Sequence, residues 1–460
     1  MAASFGLVAG LVIVLRSPSH AVALALLPVV VGVALLVARH PAYLGIFLIL
    51  AFYTNLESLL SVVLGLPFGD ALFSVSVAYI AILIFSQAER PVFGAPVRVY
   101  FLFFFVSMIV IALSPYTREF AFANWAKRTA YGQITFVVAY MTLANQKRFR
   151  TVVVLLSWSG VILAIFNLIE FFDRSIIDFS SLPGRSAGLL LNPNVSAAAI
   201  LSSFVLSYFY PTRFAVLSRI VMFAGIYTTF SRFALIVFWP LVAYLELRSR
   251  KLTLRQLTIT AVLAAGIGVL TAYSAILMED YSSAQVQKAY GRIAHIREGR
   301  FDDASSLQRI RVIFVNLDRF AEHPFIGGGL GSASLVDSPH NEFLLLMAEL
   351  GILPTVFYVL FLALLFVRIL RVEPREERQI LMVTFVYAAS YLLFTHNALN
   401  IKFHLILFSI LCVATELFPR RRAWLDPWSS ASAEAGGSVG RASMGAFAEA
   451  GGGGAGGGRR

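Results

Sequence analysis

Long apolar runs separated by short polar turns follow one another along most of the chain. Within each run the apolar residues are continuous, which is typical of helices and not of the alternating strands of a membrane barrel. A full bilayer crossing takes about 20 residues, and several runs are shorter than that. The pattern therefore predicts an all-α polytopic membrane protein with about 12, and at most about 14, transmembrane helices. The runs lie near residues 3–15, 20–38, 42–64, 71–87, 97–113, 129–144, 151–170, 194–210, 213–229, 233–247, 256–278, 343–368, 378–395 and 401–418.

Two segments interrupt this pattern. The first, residues 279–342, is a large hydrophilic loop. Apolar residues recur in it at helical spacing, and Ser305 with Gln308 forms a capping-box start, so we expect an amphipathic helix over about 305–322. The second segment, residues 429–460, is rich in Ala, Gly and Ser and cannot bury a core, so we expect a disordered tail. The predicted organisation is a membrane domain over residues 1–428 followed by this tail.

Composition agrees with a membrane protein. Hydrophobic residues make up 58% of the chain, charged residues 13%, and the mean hydropathy is +0.79. No soluble fold could cover so much apolar surface with polar groups. The net charge of +12 does not indicate a nucleic-acid partner, because the basic residues cluster in short turns between apolar runs. The single cysteine, Cys412, excludes an intrachain disulfide.

The basic turns predict which side of the membrane each loop faces. The densest of them, at 147–150, 248–255, 371–378 and 420–422, are placed in the cytoplasm by the positive-inside rule. Alternation of the runs then places both termini in the cytoplasm. The segments predicted to lie outside are 114–128, 171–193, 230–232, 279–342 and 396–400.

Basic residues on the predicted outer side are candidate anion-binding residues. Arg185 lies in a Pro-Gly-Arg-Ser segment, Arg232 at a helix start, and Arg309 near the start of the loop helix. Since a guanidinium group can bind two phosphate oxygens at once, outer arginines near the membrane suit a lipid-linked phosphate. The alternative for each one alone is an interfacial anchor. Lys127 and Arg128 could extend the anion site, or could bind lipid headgroups instead.

His340 is the candidate general base. A neutral imidazole can accept a proton near pH 7, and this one lies beside Asn341 at the mouth of a predicted membrane helix. Asp337 and Glu342 could orient His340 or replace it as base. The preceding glycine-rich turn at 327–331 lacks side chains, which would let backbone amides approach a ligand. We find no residues with metal-ligand spacing and no Gly-Lys-Ser/Thr phosphate loop, so neither a metal nor ATP is predicted.

These motifs resemble a known family. The stretch from His323-Pro324 through the glycines to Gly331, then His340-Asn341 and Gly351-Ile352-Leu353, resembles the signature of bacterial O-antigen ligases, the membrane enzymes that finish lipopolysaccharide. Arg309, Ser231-Arg232 and the segment from Gly184 to Asn194 resemble further landmarks of that family. The resemblance covers about residues 184–370. Pro354 departs from the ligase pattern, and O-antigen polymerases share the glycine-rich and His-Asn features.

The resemblance implies a GT-C-like glycosyltransferase in the bacterial inner membrane with its active site on the periplasmic side. It would transfer a glycan from undecaprenyl diphosphate to lipid A-core, without metal or other cofactor and with inversion at the anomeric carbon. His340 would accept the proton of the acceptor hydroxyl, beside Asn341. Arg185, Arg232 and Arg309 would hold the diphosphate, with Lys127 and Arg128 nearby.

Two alternatives to a ligase stay open. One is a polysaccharide polymerase that uses the same donor, and the other is a transporter or flippase of lipid-linked sugars. Transporters keep charged residues and broken helices near mid-membrane, whereas the candidate residues here lie on one predicted outer face. This distribution favours an enzyme.

Overall fold

A computed structural model describes residues 41–58, 60, 68–85, 93–114, 119–173, 179–180, 185–247, 304–333, 339–395 and 398–418. These residues all belong to one compact unit over Met1–Pro419. Several predictions lie outside the described residues: the apolar runs at 3–15, 20–38 and 256–278, the basic turns at 248–255 and 420–422, both termini, the tail 429–460, and loop residues 279–303 and 334–338.

The described part of the chain is helical throughout and contains no strand, which confirms the all-α prediction for these residues. Two short 3-10 helices, Gly188–Leu190 and Ala398–Asn400, accompany the α-helices. The α-helices are α1 (Pro41–Tyr53), α2 (Phe68–Phe85), α3 (Ala95–Leu113), α4 (Glu119–Leu143), α5 (Gln146–Phe172), α6 (Pro193–Leu206), α7 (Ala215–Thr228), α8 (Arg232–Leu247), α9 (Ala304–Glu322), α10 (Glu342–Leu350), α11 (Ile352–Leu370), α12 (Arg375–Leu392) and α13 (Lys402–Leu417).

Three of these helices, α3, α5 and α11, are long and apolar enough to cross a bilayer. Helices α1, α2, α6, α7 and α8 contain shorter apolar stretches. Such helices are expected of a membrane protein, because a helix satisfies all its backbone hydrogen bonds without water. The number of about 12 crossings stays a prediction.

The apolar run predicted at 343–368 forms two helices instead of one. Gly351, with φ of 78°, separates α10 from α11. A Cβ on Gly351 would lie 2.3 Å from the carbonyl oxygen of Phe325, so a side chain would clash with the segment that follows α9. Next to it, the Ile352 N–H donates to the carbonyl of Pro324 at 2.9 Å. With 9 residues α10 is too short to cross a bilayer, and the spanning helix begins at Ile352.

Aromatic packing fills the centre of the helix bundle, while the outward helix faces stay apolar. The buried ring of Tyr100 on α3 lies 4.6 Å from that of Phe136 on α4 and 4.9 Å from that of Phe361 on α11. By contrast, Phe105 on α3 and Val356 on α11 are exposed. A protein in water would be penalised for so many exposed apolar residues, whereas lipid solvates them.

Side-chain contacts define two ends of the bundle. At one end, Phe418 packs against Phe149, close to the basic turn at 147–150. At the other end, Lys402 forms an ion pair with Glu57. We call this second end, which also holds the N-terminus of α10 and the 3-10 helix Ala398–Asn400, the site end.

Candidate functional site

Arg185 lies inside the fold at the site end and is only 5% exposed. Its Nε donates to the carbonyl of Thr229 at 2.8 Å, and its Nη2 donates to Oδ1 of Asn194 at 2.7 Å. The adjacent Ser186 N–H donates to the carbonyl of Thr228 at 3.2 Å. Arg185 therefore links the start of α6 to the end of α7, and both contacts hold its guanidinium group in place.

Arg232 belongs to the same turn. It is the half-buried first residue of α8, three positions after Thr229, whose carbonyl accepts the bond from Arg185. The turn between them contains Phe230 in the left-handed region, with φ of 49°, and the Ser231 N–H donates to Oγ1 of Thr229 at 3.2 Å. Two of the predicted anion-binding arginines thus meet at the α7–α8 turn.

Glu170 organises the loop that carries Arg185. Its buried carboxylate at the end of α5 accepts hydrogen bonds from the N–H groups of Phe179, Ser180, Ala187 and Gly188, at 2.6 to 3.0 Å. A buried carboxylate is tolerated only when such donors compensate for its lost hydration. Glu170 was not among the predicted site residues, although a glutamate at the end of an apolar run is itself a sign of a paired or functional group.

His340 is exposed at the start of α10. The next residue, Asn341, is the N-cap of that helix: its Oδ1 accepts the Leu344 N–H at 3.0 Å. Asn341 fixes where α10 begins, and the position of His340 follows from that of the cap. The imidazole therefore lies at the exposed, capped end of a short helix.

Two glutamates hold α10, one at each end: Glu342 is buried and Glu349 is half-buried. Glu342 is 2% exposed, and its Oε2 accepts the Ala398 N–H at 2.9 Å, which joins the start of α10 to the 3-10 helix Ala398–Asn400. Near the other end, Oε1 of Glu349 accepts the Gly331 N–H at 3.0 Å. Burial raises the pKa of Glu342 to about 8 and that of Glu349 to about 7. Both carboxyl groups are therefore able to change protonation near neutral pH.

The two glutamates line a small cavity of ≈ 40 Å³ beside α10. A single water needs roughly 10–15 Å³ of such volume, so a few waters fit. The other lining residues are mostly apolar or aromatic and come from α3, α4, α10 and the segment 399–400: Phe103, Phe104, Trp125, Thr129, Leu345, Leu346, Leu350, Leu399 and Asn400.

The glycine-rich turn has a different role from the predicted one. Its amides do not point to a ligand: the Gly328 N–H donates to the carbonyl of Ala348 at 2.8 Å, and the Gly329 N–H donates to that of Glu349 at 3.1 Å. A Cβ on Gly327, whose φ is 65°, would lie 2.4 Å from the backbone carbonyl of Glu349. Glycine is required here because the turn packs backbone to backbone on the C-terminal end of α10.

Lys127 and Arg128, the other predicted anion-binding residues, lie within α4, which begins at Glu119. Lys127 forms an ion pair with Asp70 at 3.2 Å, and the Tyr131 hydroxyl donates to the same carboxylate. Lys127 and Asp70 are both more than half exposed, so water screens this pair. Arg128 and Arg309 have described backbones in α4 and α9, but their side chains lie outside the described structure.

The buried ion pair between Lys402 and Glu57 was not identified from the sequence. The Lys402 ammonium group also lies 5.1 Å from the centre of the Phe52 ring and 5.5 Å from that of the Tyr131 ring. A glutamate inside the apolar run 42–64 was the available signal, because an ionisable group there needs a partner. This pair ties the segment that follows α1 to the first residue of α13.

Contacts along the α12–α13 connection join the two groups of candidate residues. Phe233, which follows Arg232, packs against Phe394 with ring centres 4.9 Å apart. A few residues later, Ala398 donates its N–H to Glu342, two positions after His340. The α7–α8 turn and the start of α10 are thus parts of one packed region at the site end.

These features define the class of protein: a polytopic helical membrane protein with cations, a histidine and buried carboxyl groups at one end of its bundle. Residues 217–359 match the family model described as O-antigen ligase, so this part of the chain is similar to the family that the resemblance implied. The matched residues include Arg232, α9, the glycine-rich turn, His340 and α10, whereas Arg185 and Lys127 precede them. A comparison with curated proteins gave no match.

The family indicates the general activity. Its members are glycosyltransferase-like membrane enzymes of lipopolysaccharide biosynthesis, with ligase or polymerase-type activity and lipid-linked glycan substrates.

Proposed function

We propose that this protein is an O-antigen ligase that transfers a glycan from undecaprenyl diphosphate to lipid A-core oligosaccharide at the periplasmic face of the bacterial inner membrane. The observation that carries the proposal is the position of His340. It is exposed at the capped start of α10, inside the segment that matches the family, and at the same end of the bundle as Arg185, Arg232 and Lys127.

In the proposed reaction, His340 removes the proton from the acceptor hydroxyl as its oxygen bonds to the anomeric carbon of the donor sugar. The bond from that carbon to the diphosphate oxygen breaks, and the electron pair leaves with the lipid diphosphate. Attack opposite the leaving group inverts the anomeric configuration. Since the diphosphate link already activates the sugar, the reaction consumes no ATP and is proposed to need no metal.

The departing diphosphate needs positive charge nearby, and we assign this task to Arg232 and Arg309, with Lys127 and Arg128 at the edge of the site. Arg185 completes the group from inside the fold, because it hydrogen-bonds the turn that leads to Arg232. Asn341 is a positioning residue: as the N-cap it fixes where α10 begins and therefore where His340 lies.

Two other functions are compatible with parts of this site. A polymerase would use the same donor and the same His-Asn and glycine features, and Pro354 in the first turn of α11 departs from the ligase pattern. A transporter of lipid-linked sugars is less well supported, because the candidate residues gather at one end of the bundle.

Reconstitution with purified lipid-linked glycan and lipid A-core tests the proposal. His340→Ala should reduce glycan transfer by about 10²-fold or more, the usual contribution of a general base. Lys127→Ala should weaken donor binding, whereas Lys147→Ala, at another exposed lysine but at the opposite end of the bundle, should leave transfer unchanged.

Three outcomes would contradict parts of this assignment. Full activity of His340→Ala would show that another group is the base. Longer lipid-linked glycan made without lipid A-core would identify a polymerase. Movement of the donor across the bilayer without a covalent product would identify a transporter.

A further inference from the structure

The surface of α9 is divided into three faces. The first faces the protein and includes Val312 and Asn316, which are 6% and 0% exposed. The second is apolar yet exposed, with side chains that are 40–62% accessible and recur every three or four residues, as one stripe of a helix requires: Leu307, Ile310, Ile313, Phe314 and Leu317. The third is polar and exposed: Gln308, Arg311, Asp318 and Glu322.

The end of α9 is fixed to the start of a membrane-spanning helix. Just after α9, the carbonyl of Pro324 accepts the N–H of Ile352, the first residue of α11, at 2.9 Å. The backbone of Phe325 packs directly on Gly351. Because α11 is a candidate span that begins at Ile352, the C-terminal end of α9 lies at the level where the membrane begins.

Exposed apolar side chains continue from α9 across this junction. Phe325 is 75% exposed, and Leu353 and Val356 in the first turns of α11 are about half exposed. Leu353 and Val356 lie on a spanning helix, where lipid is the solvent. The apolar face of α9 thus leads into a surface that lipid covers.

We propose that α9 lies in the plane of the membrane surface, with the face formed by Leu307, Ile310, Ile313, Phe314 and Leu317 in the hydrocarbon of the leaflet at the site end. The polar face, with Arg311 and Asp318, is then in the headgroup and water layer, and the third face rests on the protein. A helix with an apolar face, a charged face and little overall hydrophobicity has the properties of an interfacial helix. This placement of α9 rests on burial and contacts alone and is independent of the proposed reaction.

Single cysteines in a Cys412→Ala background test this placement. Cys412 is buried and is the one cysteine of the chain, so its replacement leaves no competing thiol. Spin labels would be attached at Phe314→Cys on the apolar face and at Arg311→Cys on the polar face. Phe105→Cys on the exposed face of α3 serves as the lipid reference.

In proteoliposomes we expect the label at 314 to collide more with oxygen, which concentrates in lipid, than with a water-soluble nickel chelate, as the label at 105 does. The label at 311 should show the opposite preference. Equal nickel access at 314 and 311 would overturn the proposal by placing the apolar face in water. A label at 314 that neither reagent reaches would also overturn it, by showing that protein, such as a second copy, covers this face.

A second measurement uses the unmodified protein in case a variant fails to fold. A lipid carrying a carbene precursor in its acyl chain should label the peptide containing Leu307 to Leu317 in liposomes of the same composition. Absence of label there, with normal labelling of α3, would contradict the placement.

Discussion

Glu342 offers the sharpest test of how the site is held together, because one hydrogen bond joins two distant segments. Its buried carboxyl accepts the Ala398 N–H at 2.9 Å and so fixes the start of α10, where His340 lies. Glu342→Ala removes the acceptor and leaves a buried donor unsatisfied, which costs about 1–3 kcal/mol. The missing side chain also enlarges the cavity beside α10, so we expect a total loss of about 2–4 kcal/mol in the free energy of unfolding.

Glu342→Gln is the matched control. Burial raises the pKa of Glu342 to about 8, so the carboxyl is mostly protonated at pH 7 and resembles a glutamine amide in shape and charge. The amide oxygen still accepts the Ala398 N–H, so we expect a change below about 1 kcal/mol near pH 4.5, where the carboxyl is largely protonated in the folded and the unfolded state. Glycan transfer should likewise fall in Glu342→Ala and persist in Glu342→Gln.

The pH dependence follows from the raised pKa. A carboxyl whose folded-state pKa exceeds its unfolded value contributes stability that is fully present below about pH 4.5 and is lost as the pH rises through about 8. The wild type should therefore lose stability relative to Glu342→Gln across this interval, with a slope of at most about 1.4 kcal/mol per pH unit. Unfolding in detergent micelles at pH 5, 6.5 and 8, followed by circular dichroism, measures this difference.

Two results would refute the reasoning. If Glu342→Gln were as unstable as Glu342→Ala, the ionised carboxylate would be the form that accepts the bond. If both variants matched the wild type at every pH, the bond to Ala398 would not hold α10 in place.

Three further predictions concern the rest of the site end. Gly327→Ala should cost at least about 2 kcal/mol, because the residue has positive φ and its Cβ would meet the Glu349 backbone at 2.4 Å. Gly328→Ala should be milder, because its nearest neighbour would be the Ser332 hydroxyl at 3.1 Å, and thermal unfolding compares the two variants. Lys402→Met should cost about 3–5 kcal/mol in the free energy of unfolding, because it leaves Glu57 buried and unpaired. Adding Glu57→Leu should recover most of that loss. A negligible loss in Lys402→Met would show that the pair is solvated in the folded state. Arg185→Lys cannot bond both Thr229 and Asn194 in the same geometry, so the KM for lipid-linked donor should rise; an unchanged KM would separate Arg185 from the anion site.

The periodicity of apolar residues was sufficient to predict the helical class and the location of spanning segments such as α3 and α5. Helix formation in a membrane is a local property, because a helix satisfies its own backbone hydrogen bonds and lipid solvates any apolar stretch of sufficient length. The break at Gly351 was missed for the same reason: residues 343–368 are apolar throughout, and only the packing of Phe325 against Gly351 requires two helices there.

The geometry of the candidate site depends on contacts between residues that are far apart in the sequence. The sequence by itself determined which residue types could perform the chemistry, namely His340 and the arginines, because their charge and proton affinity are intrinsic. The tertiary structure decided how they are held: Arg185 bonds to Thr229, 44 positions away, and Glu342 to Ala398, 56 positions away. It also showed that the amides of Gly328 and Gly329 hold the end of α10. A hydrogen bond between distant segments depends on how helices pack, which no local pattern of apolar residues records.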